Sequence, residues 1–168
     1  MPVRDVLLLG NPALYTVSTA VEKDDLPQIF DLIEDLHDTL ADFRERYGVG
    51  RAIAAPQIGV MKRLIYMYID SPVVFINPVL EEMSGAMIDV WDDCLSFPDL
   101  FVKVRRHKSC RIRYYHTDFA EKEMWLEDDM AELLQHECDH LDGVIAVSRA
   151  IDERSFALRS QKEFITGE

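Results

Sequence analysis

The segment from Gln135 to Gly143 carries the residue types most suited to chemistry. It contains His136, Glu137 and His140, and an α-helix turns through about 100° per residue, so the two imidazoles fall on one face, one turn apart. Both rings could therefore reach a single metal ion, with the Glu137 carboxylate beside them on the same side. Two neutral nitrogen ligands and a carboxylate that can accept a proton from water are typical of a metal-hydrolase helix.

Two histidines do not complete such a site, because a catalytic metal usually has three protein ligands and keeps one position open. No His or Cys follows His140 in the chain, although Glu153, Glu163 and Glu168 do. Upstream, Cys94 lies in what its polar neighbours predict to be a loop, and a thiolate is a strong ligand for a borderline metal. The alternative, in which both histidines are hydrogen-bonded structural residues on a helix, stays open at this point.

The clearest helical periodicity runs from residue 24 to residue 47. Its apolar residues recur every three or four positions, which is the pattern of an amphipathic helix that packs on a core. Asp24 or Asp25 can cap the start of this helix, Pro27 suits its first turn, and Gly48 can end it.

Between residues 63 and 126 the sequence changes to short β-branched and aromatic runs broken by turn residues, which predicts strands. Four strands are predicted, at residues 64–70, 73–76, 101–104 and 110–115. Helical patterns return at residues 128–141 and 152–164. Because helices and strands are segregated along the chain, we predict an α+β fold, with antiparallel sheets packed around a central metal-binding helix. No repeat or linker interrupts it, so residues 1–168 are predicted to form one domain.

Composition restricts the function further. The chain is 48% apolar with a formal net charge of −13, which is typical of a globular protein and disfavours sequence-specific nucleic-acid binding. No apolar run reaches the length of a membrane span and no signal-peptide pattern is present, so we expect a cytoplasmic protein without a membrane partner. Three cysteines cannot all pair, and the cytoplasm disfavours disulfides, so at least one thiol needs another role.

A basic cluster is the other charged feature of the sequence. It comprises Lys103, Arg105, Arg106, Lys108, Arg111 and Arg113. We predict a solvated strand face that pairs with the acidic excess, while contact with ribosomal RNA is the alternative. Arg106 could also pair with Asp92 and brace the segment around Cys94.

Three separate motifs carry a family resemblance. They are Ala54-Ala55-Pro56-Gln57-Ile58-Gly59, Cys94-Leu95-Ser96, and the segment from Gln135 through His140 to Gly143. In order and approximate spacing they resemble the motifs of peptide deformylases, and the opening Leu9-Gly10-Asn11-Pro12 resembles that family's start. The resemblance spans nearly the whole chain, and three motifs in order are far more specific than His-Glu-x-x-His alone.

The resemblance implies a metal-dependent amidase that removes the formyl group from the N-terminal formyl-methionine of nascent peptides. It implies Cys94, His136 and His140 as the ligands of one divalent ion, Fe(II) by analogy with the family, with Zn, Ni or Co as other occupants. The substrate would be an N-formylmethionyl nascent peptide, and the ribosome is a further candidate partner.

The same resemblance implies roles for the surrounding residues. Glu137 would act as general base and then as general acid, while the Gln57 amide and the Leu95 N–H would face the oxyanion. The apolar pocket for a methionine side chain has three weaker candidates, which are Ile53, Phe97 and Leu133.

Three departures from the family pattern bear on the substrate. Ala52 stands where the first motif usually has its second glycine, and Asp92-Asp93 replaces Glu-Gly before Cys94. Glu132 lies one helical turn before the third motif, where the family often has Arg or an aliphatic residue. We predict that Glu132 belongs to a solvated helix edge. If it faces the substrate groove instead, reversing it to Arg should improve turnover of ordinary formyl-Met peptides.

These departures leave three other functions open. The first is a deformylase-like hydrolase that acts on another N-acyl group, and the second is a metal-holding peptide-binding module without turnover. The third is a generic His-Glu-x-x-His protease, which would leave Cys94 and the Ala-Ala-Pro-Gln segment unexplained. A pure binding module is disfavoured because Glu137 has no evident structural need to be where it is.

Overall fold

Two antiparallel sheets and a buried helix form the framework in the computed structural model, which describes residues 3–166. The strands are β1 (Ala52–Ala54), β2 (Leu64–Tyr68), β3 (Pro72–Glu81), β4 (Met87–Cys94), β5 (Phe97–His107), β6 (Ser109–Tyr115), β7 (Glu121–Glu127) and β8 (Phe156–Leu158). The helices are α1 (Leu26–Tyr47), α2 (Asp128–Leu141) and the short α3 (Glu163–Thr166).

The strands divide into two sheets in which neighbouring strands are antiparallel. One sheet has the order β1-β2-β3-β6-β7 and the other the order β4-β5-β8. Helix α2 contacts strands of both sheets. The predicted α+β fold, with antiparallel sheets around a central helix, is confirmed.

Helix α2 is buried along most of its length, as its apolar residues predicted. The acidic Asp128 and Asp129 in its first turn complement the positive end of the helix dipole. Gly143 follows the helix with φ +71°, and a Cβ at this position would lie 2.5 Å from the Tyr15 carbonyl oxygen. A glycine is therefore required where the N-terminal segment crosses the end of α2.

Helix α1 ends as predicted but begins differently. Gly48 adopts a left-handed conformation and its N–H donates to the Arg44 carbonyl, which terminates the helix. Asp25 occupies the N-cap position, yet its carboxylate makes no cap hydrogen bond. It accepts instead from a backbone N–H of the preceding turn and from Lys62 Nζ at 2.9 Å. The capping prediction is wrong because the ammonium group and the earlier turn compete for the carboxylate.

Three other sequence-based predictions need correction. Residues 152–164 do not form a helix, because Phe156–Leu158 pairs with Leu100–Val102 of β5 and the intervening turns prevent helical continuity. Cys94 ends β4 rather than lying in a loop. Strands β1, β4 and β7 were not predicted, since β1 is short and the other two carry many charged residues.

The basic cluster is largely neutralised by acidic neighbours, as predicted, but the prediction of a solvated face is wrong for Arg106, which is buried and paired with Asp92 and Asp139. Arg105 binds Asp89 with two hydrogen bonds, while Arg111 and Arg113 share the Glu81 carboxylate. Within residues 3–166, no helix is long and apolar enough to cross a bilayer.

Candidate active site and metal centre

Helix α2 and the end of β4 bring the three predicted ligands together. His136 and His140 lie one turn apart on α2, and their Nε2 atoms are 3.2 Å apart. The Sγ atom of Cys94 lies 3.3 Å from His140 Nε2. All three side chains are buried, and their ligand atoms lie within 4.8 Å of one another.

The chemistry of these donors fits a divalent cation. The Asp92 carboxylate can only accept, so the 2.7 Å contact with His136 Nδ1 places a proton on Nδ1, and in the neutral ring the lone pair then lies on Nε2. Burial, together with His136, lowers the pKa of His140, which favours its neutral form. Two imidazole nitrogens and one sulfur therefore converge on one point, and such a set of nitrogen and sulfur donors suits a divalent transition-metal ion.

The surrounding charge favours a cation at the same point. Burial disfavours protonation of His136, but Asp92 and Cys94 overcome this and raise its pKa well above the usual value. The site therefore has an excess of negative charge that positive charge at Nε2 relieves. The residues present thus fit a bound metal ion.

Glu137 has the properties of a proton-transfer group. It is 3% exposed, and its Oε2 atom is buried with no hydrogen-bond partner among the described residues. Burial raises the pKa of this carboxyl to about 7. An orphaned carboxylate oxygen costs stability. A carboxyl that ionises near neutral pH can both accept and donate a proton.

Gln57 and Leu95 lie on the Cys94 side of the site. The Gln57 amide oxygen accepts from the Ala54 N–H at 2.9 Å, which fixes the orientation of the amide. Its Nε2 donates to Ser96 Oγ at 3.1 Å and approaches Cys94 Sγ at 3.4 Å. Leu95 lines the cavity described below. Their roles toward an oxyanion stay predictions.

Arg106 binds two acidic residues that adjoin the proposed metal ligands. It is 3% exposed and donates to Asp92 at 3.2 Å and to Asp139 at 2.6 Å. Asp92 in turn holds His136, and Asp139 lies on α2 beside His140. The predicted pairing of Arg106 with Asp92 is therefore confirmed.

A cavity of about 250 Å³ opens beside His136 and Glu137. Its lining comprises Phe43, Val49, Gly50, Arg51, Ala52, Asp92, Asp93, Cys94, Leu95, Leu133, His136 and Glu137. Leu133 is thus at the cavity as expected. Ile53 does not line it, because it follows Ala52 on β1 and successive strand side chains point to opposite faces. Phe97 does not line it either and is buried in the core. Phe43 lines the cavity, but the amphipathic pattern of α1 predicts only a core role for it. Its position shortly before the first motif was the signal that could have indicated a place in the site.

The three departures from the family pattern all lie in or against this cavity. Ala52 and Asp93 line it, and Asp93 is paired with Arg159 at 2.9 Å. Glu132 is 8% exposed and its Oε1 accepts from Arg51 Nη2 at 2.8 Å. Burial raises the pKa of Glu132, which Arg51 opposes. The prediction of a solvated edge is therefore wrong for Glu132, and reversing it to Arg would bring two guanidinium groups together.

Arg159 ties the C-terminal segment to the Cys94 side of the cavity. Besides Asp93, it donates to the Pro98 carbonyl at 2.6 Å and its guanidinium lies 4.6 Å from the Phe101 ring centre. We expect Arg159→Met to lower the free energy of unfolding by about 1–2 kcal/mol, since it removes a partly exposed ion pair, a hydrogen bond and a cation–π contact. Urea denaturation measures this.

Arg105→Met is the matched control for Arg159→Met. It removes an exposed Arg–Asp pair on the surface of β4 and β5, and its expected effect on the free energy of unfolding is smaller than that of Arg159→Met. Equal effects of the two substitutions would mean that Arg159 does not hold the C-terminal segment.

Comparison with known proteins gives consistent results. The family described as polypeptide deformylase matches residues 3–156. Peptide deformylase 1 of Prochlorococcus marinus is 37% identical over 175 residues, covering 97% of this chain and 88% of that protein. The crystal structure of peptide deformylase from Thermotoga maritima superimposes with a TM-score of 0.83 at 31% identity, covering 90% of this chain and all of that one.

A further similar structure holds a peptide. It is described as a Met-Ala-Ser bound class I type b peptide deformylase from Acinetobacter baumannii. It is 27% identical with a TM-score of 0.80, and the match covers 88% of this chain and 98% of that chain.

Proposed function

This chain belongs to the peptide deformylase family, and from that membership we propose how its residues hydrolyse an N-formyl group. The protein is a metal-dependent hydrolase that removes the formyl group from the N-terminal formyl-methionine of nascent peptides. The observation that supports the proposed chemistry best is the convergence of Cys94 Sγ and two imidazole Nε2 atoms beside the buried Glu137 carboxyl.

Cys94, His136 and His140 hold the metal ion in this proposal. We propose Fe(II) as the native ion, with Zn, Ni and Co as ions that the same donors accept, because a thiolate and two imidazoles suit each of them. When bound, the ion supplies Lewis acidity, which lowers the pKa of water and polarises the formyl carbonyl. Asp92 orients the His136 ring through the 2.7 Å hydrogen bond to Nδ1.

Glu137 moves the proton in the proposed reaction. Its carboxylate accepts a proton from water as the water oxygen bonds to the formyl carbon. It then returns this proton to the amine nitrogen as the carbon–nitrogen bond breaks, which gives formate and a free N-terminus. The Gln57 amide and the Leu95 N–H donate to the formyl oxygen as negative charge develops on it.

The cavity beside Glu137 receives the first side chain of the peptide. Phe43, Val49 and Leu133 provide apolar contact for a methionine side chain. The Met-Ala-Ser complex of the Acinetobacter baumannii relative supports a peptide as the ligand. We propose that the protein acts in the cytoplasm on chains emerging from the ribosome, where translation would supply formylated N-termini.

Formate release from formyl-Met-Ala-Ser tests the activity. Anaerobically purified protein with a quantified metal content should release formate, and the proposal of Fe(II) as the native ion predicts that iron predominates in that content. Release of acetate from acetyl-Met-Ala-Ser without formate would favour another N-acyl substrate. Cleavage of casein without formate would favour a protease, and no turnover at one metal per chain would favour a binding module.

Metal removal should lower stability without unfolding the chain. Three extensive apolar clusters form a core independent of the metal, so the apo protein should remain folded. A ligand at a hundred times its Kd stabilises the native state by about 2.7 kcal/mol, so chelation should lower Tm by several degrees. Thermal unfolding before and after chelation, followed by addition of metal, measures this. An unchanged Tm would argue against the proposed metal centre.

A further inference from the structure

An ion pair between Arg51 and Glu132 lies at the wall of the cavity. Of the described residues that line the cavity, Arg51 alone is a lysine or arginine. Its partner Glu132 lies behind the wall on α2, four residues before His136. A residue 81 positions away in sequence therefore sets the position of the Arg51 guanidinium relative to the metal ligands.

Both members of the pair are held in place. The Arg51 carbonyl accepts from the Tyr68 N–H at 2.9 Å, which ties its backbone to β2 just before β1 begins. Glu132 is buried on a helix that is itself buried, so its carboxylate has little freedom. The Arg51 side chain keeps 42% of its surface exposed. The guanidinium is thus held by Glu132 on one side and remains accessible from the cavity on the other.

The chemistry of this guanidinium selects a particular kind of group. It has five N–H donors. One of them is used within residues 3–166, in the bond to Glu132. The charge is balanced by Glu132, and Glu137 adds a further acidic group to the same cavity, whereas Asp93 is paired with Arg159. A neutral hydrogen-bond acceptor can use the free donors, whereas a carboxylate would gain little from a guanidinium already paired with Glu132 and would meet the Glu137 carboxyl in the same cavity.

The first side chain of the substrate is the group that enters this cavity. Glu137 and His136 lie on its wall, so the formyl carbon must be placed at its edge. The side chain on the residue that carries the formyl group is then the nearest part of the peptide. Phe43 and Leu133 contact the apolar stem of this side chain, and Arg51 contacts the group at its end.

We propose that Arg51, positioned by Glu132, is a specificity-determining residue for the first side chain of the formylated peptide. It favours an unbranched side chain that is apolar along its stem and ends in a neutral hydrogen-bond acceptor. Methionine meets this description weakly through its thioether sulfur, glutamine meets it strongly, and norleucine does not meet it. This inference rests on the proposed deformylase function.

The experiment measures kcat/KM for formate release from four peptides that differ in the first residue. They are formyl-Met-Ala-Ser, formyl-norleucine-Ala-Ser, formyl-Gln-Ala-Ser and formyl-Glu-Ala-Ser. The test variant is Arg51→Met combined with Glu132→Gln, which removes the donors without leaving a buried charge unpaired. We expect the ratio of formyl-Gln to formyl-norleucine to be about tenfold higher in the wild type than in this variant.

Two further variants separate specificity from general damage. Arg105→Met removes an exposed arginine away from the cavity and should leave all four ratios at wild-type values. Glu132→Gln alone removes one negative charge behind the pocket wall and should raise formyl-Glu relative to formyl-Gln. Circular dichroism and metal content are measured for each protein.

The outcomes distinguish the inference from the proposed function. Robust formate release with the same formyl-Gln to formyl-norleucine ratio in the wild type and the double variant would overturn the inference alone. A wild-type preference for formyl-Glu over formyl-Gln would overturn it as well, because it contradicts the charge argument. No formate from any peptide in metal-loaded protein would overturn the proposed function, and the inference with it.

Discussion

Glu137→Ala is expected to reduce kcat for formate release about a thousandfold, since general acid–base catalysis typically contributes a factor of about 10²–10⁴. The buried Oε2 atom has no partner among the described residues, so the substitution removes no structural hydrogen bond from that oxygen. It also removes a buried ionisable group, which should leave the folded state at least as stable. Formate release and metal content are measured on the same protein samples.

Controls on the same helix make this result specific to proton transfer. Glu137→Gln keeps the size of the side chain but cannot accept the proton, so it should lose activity to a similar extent. Asp129→Asn changes an exposed carboxylate on α2 and should leave kcat within about twofold, as expected for a surface substitution. A loss below tenfold in both Glu137 variants, at full metal content, would mean that another group carries the proton.

The local part of the site could be predicted because it depends on helical periodicity. His136, Glu137 and His140 lie close together in the sequence, and the geometry of a helix determines which of them share a face. Cys94 could be proposed from chemistry alone, because a thiolate completes a ligand set that the histidines begin. Its distance to His140 depends on how β4 ends against α2, which no local pattern contains.

Long-range pairing explains what the sequence did not reveal about the pocket. Glu132 is a charged residue on a helix, and such residues are usually solvated. Its burial depends on Arg51, which another part of the chain places opposite it. Ile53 and Phe97 are apolar residues next to motif residues, yet neither lines the cavity, since Ile53 alternates with Ala52 along β1 and Phe97 is buried in the core.

The same reason separates the predicted from the unpredicted elements of the fold. Helices α1 and α2 are long and have a clear periodicity, so hydrophobic patterning alone was sufficient. The sequence pattern of residues 152–164 is compatible with a helix, but the free edge of β5 pairs with Phe156–Leu158 instead. Strand pairing of this kind depends on which edge remains free, which is a property of the whole sheet.

Arg106→Met is expected to lower the free energy of unfolding by about 3–5 kcal/mol, because it removes one partner from a buried set of charges. Met preserves much of the side-chain volume, so the loss should come from charge rather than from a cavity. Burial raises the pKa of Asp92, but His136 and Arg106 overcome this and keep the carboxyl ionised. Without Arg106, part of this stabilisation disappears, and Asp139 keeps its ion pair with Arg149.

The same substitution should also weaken metal binding, by about 10–100-fold, since the residues that orient a metal ligand contribute this much to affinity. Arg106 acts on His136 through its hydrogen bond to Asp92, which in turn accepts from His136 Nδ1. The neighbouring Arg105→Met is the control, because its exposed pair with Asp89 lies outside this network. Metal titration and urea denaturation of both variants separate the two effects. If Arg106→Met lost stability but bound metal as tightly as the wild type, Asp92 would hold His136 without help from Arg106.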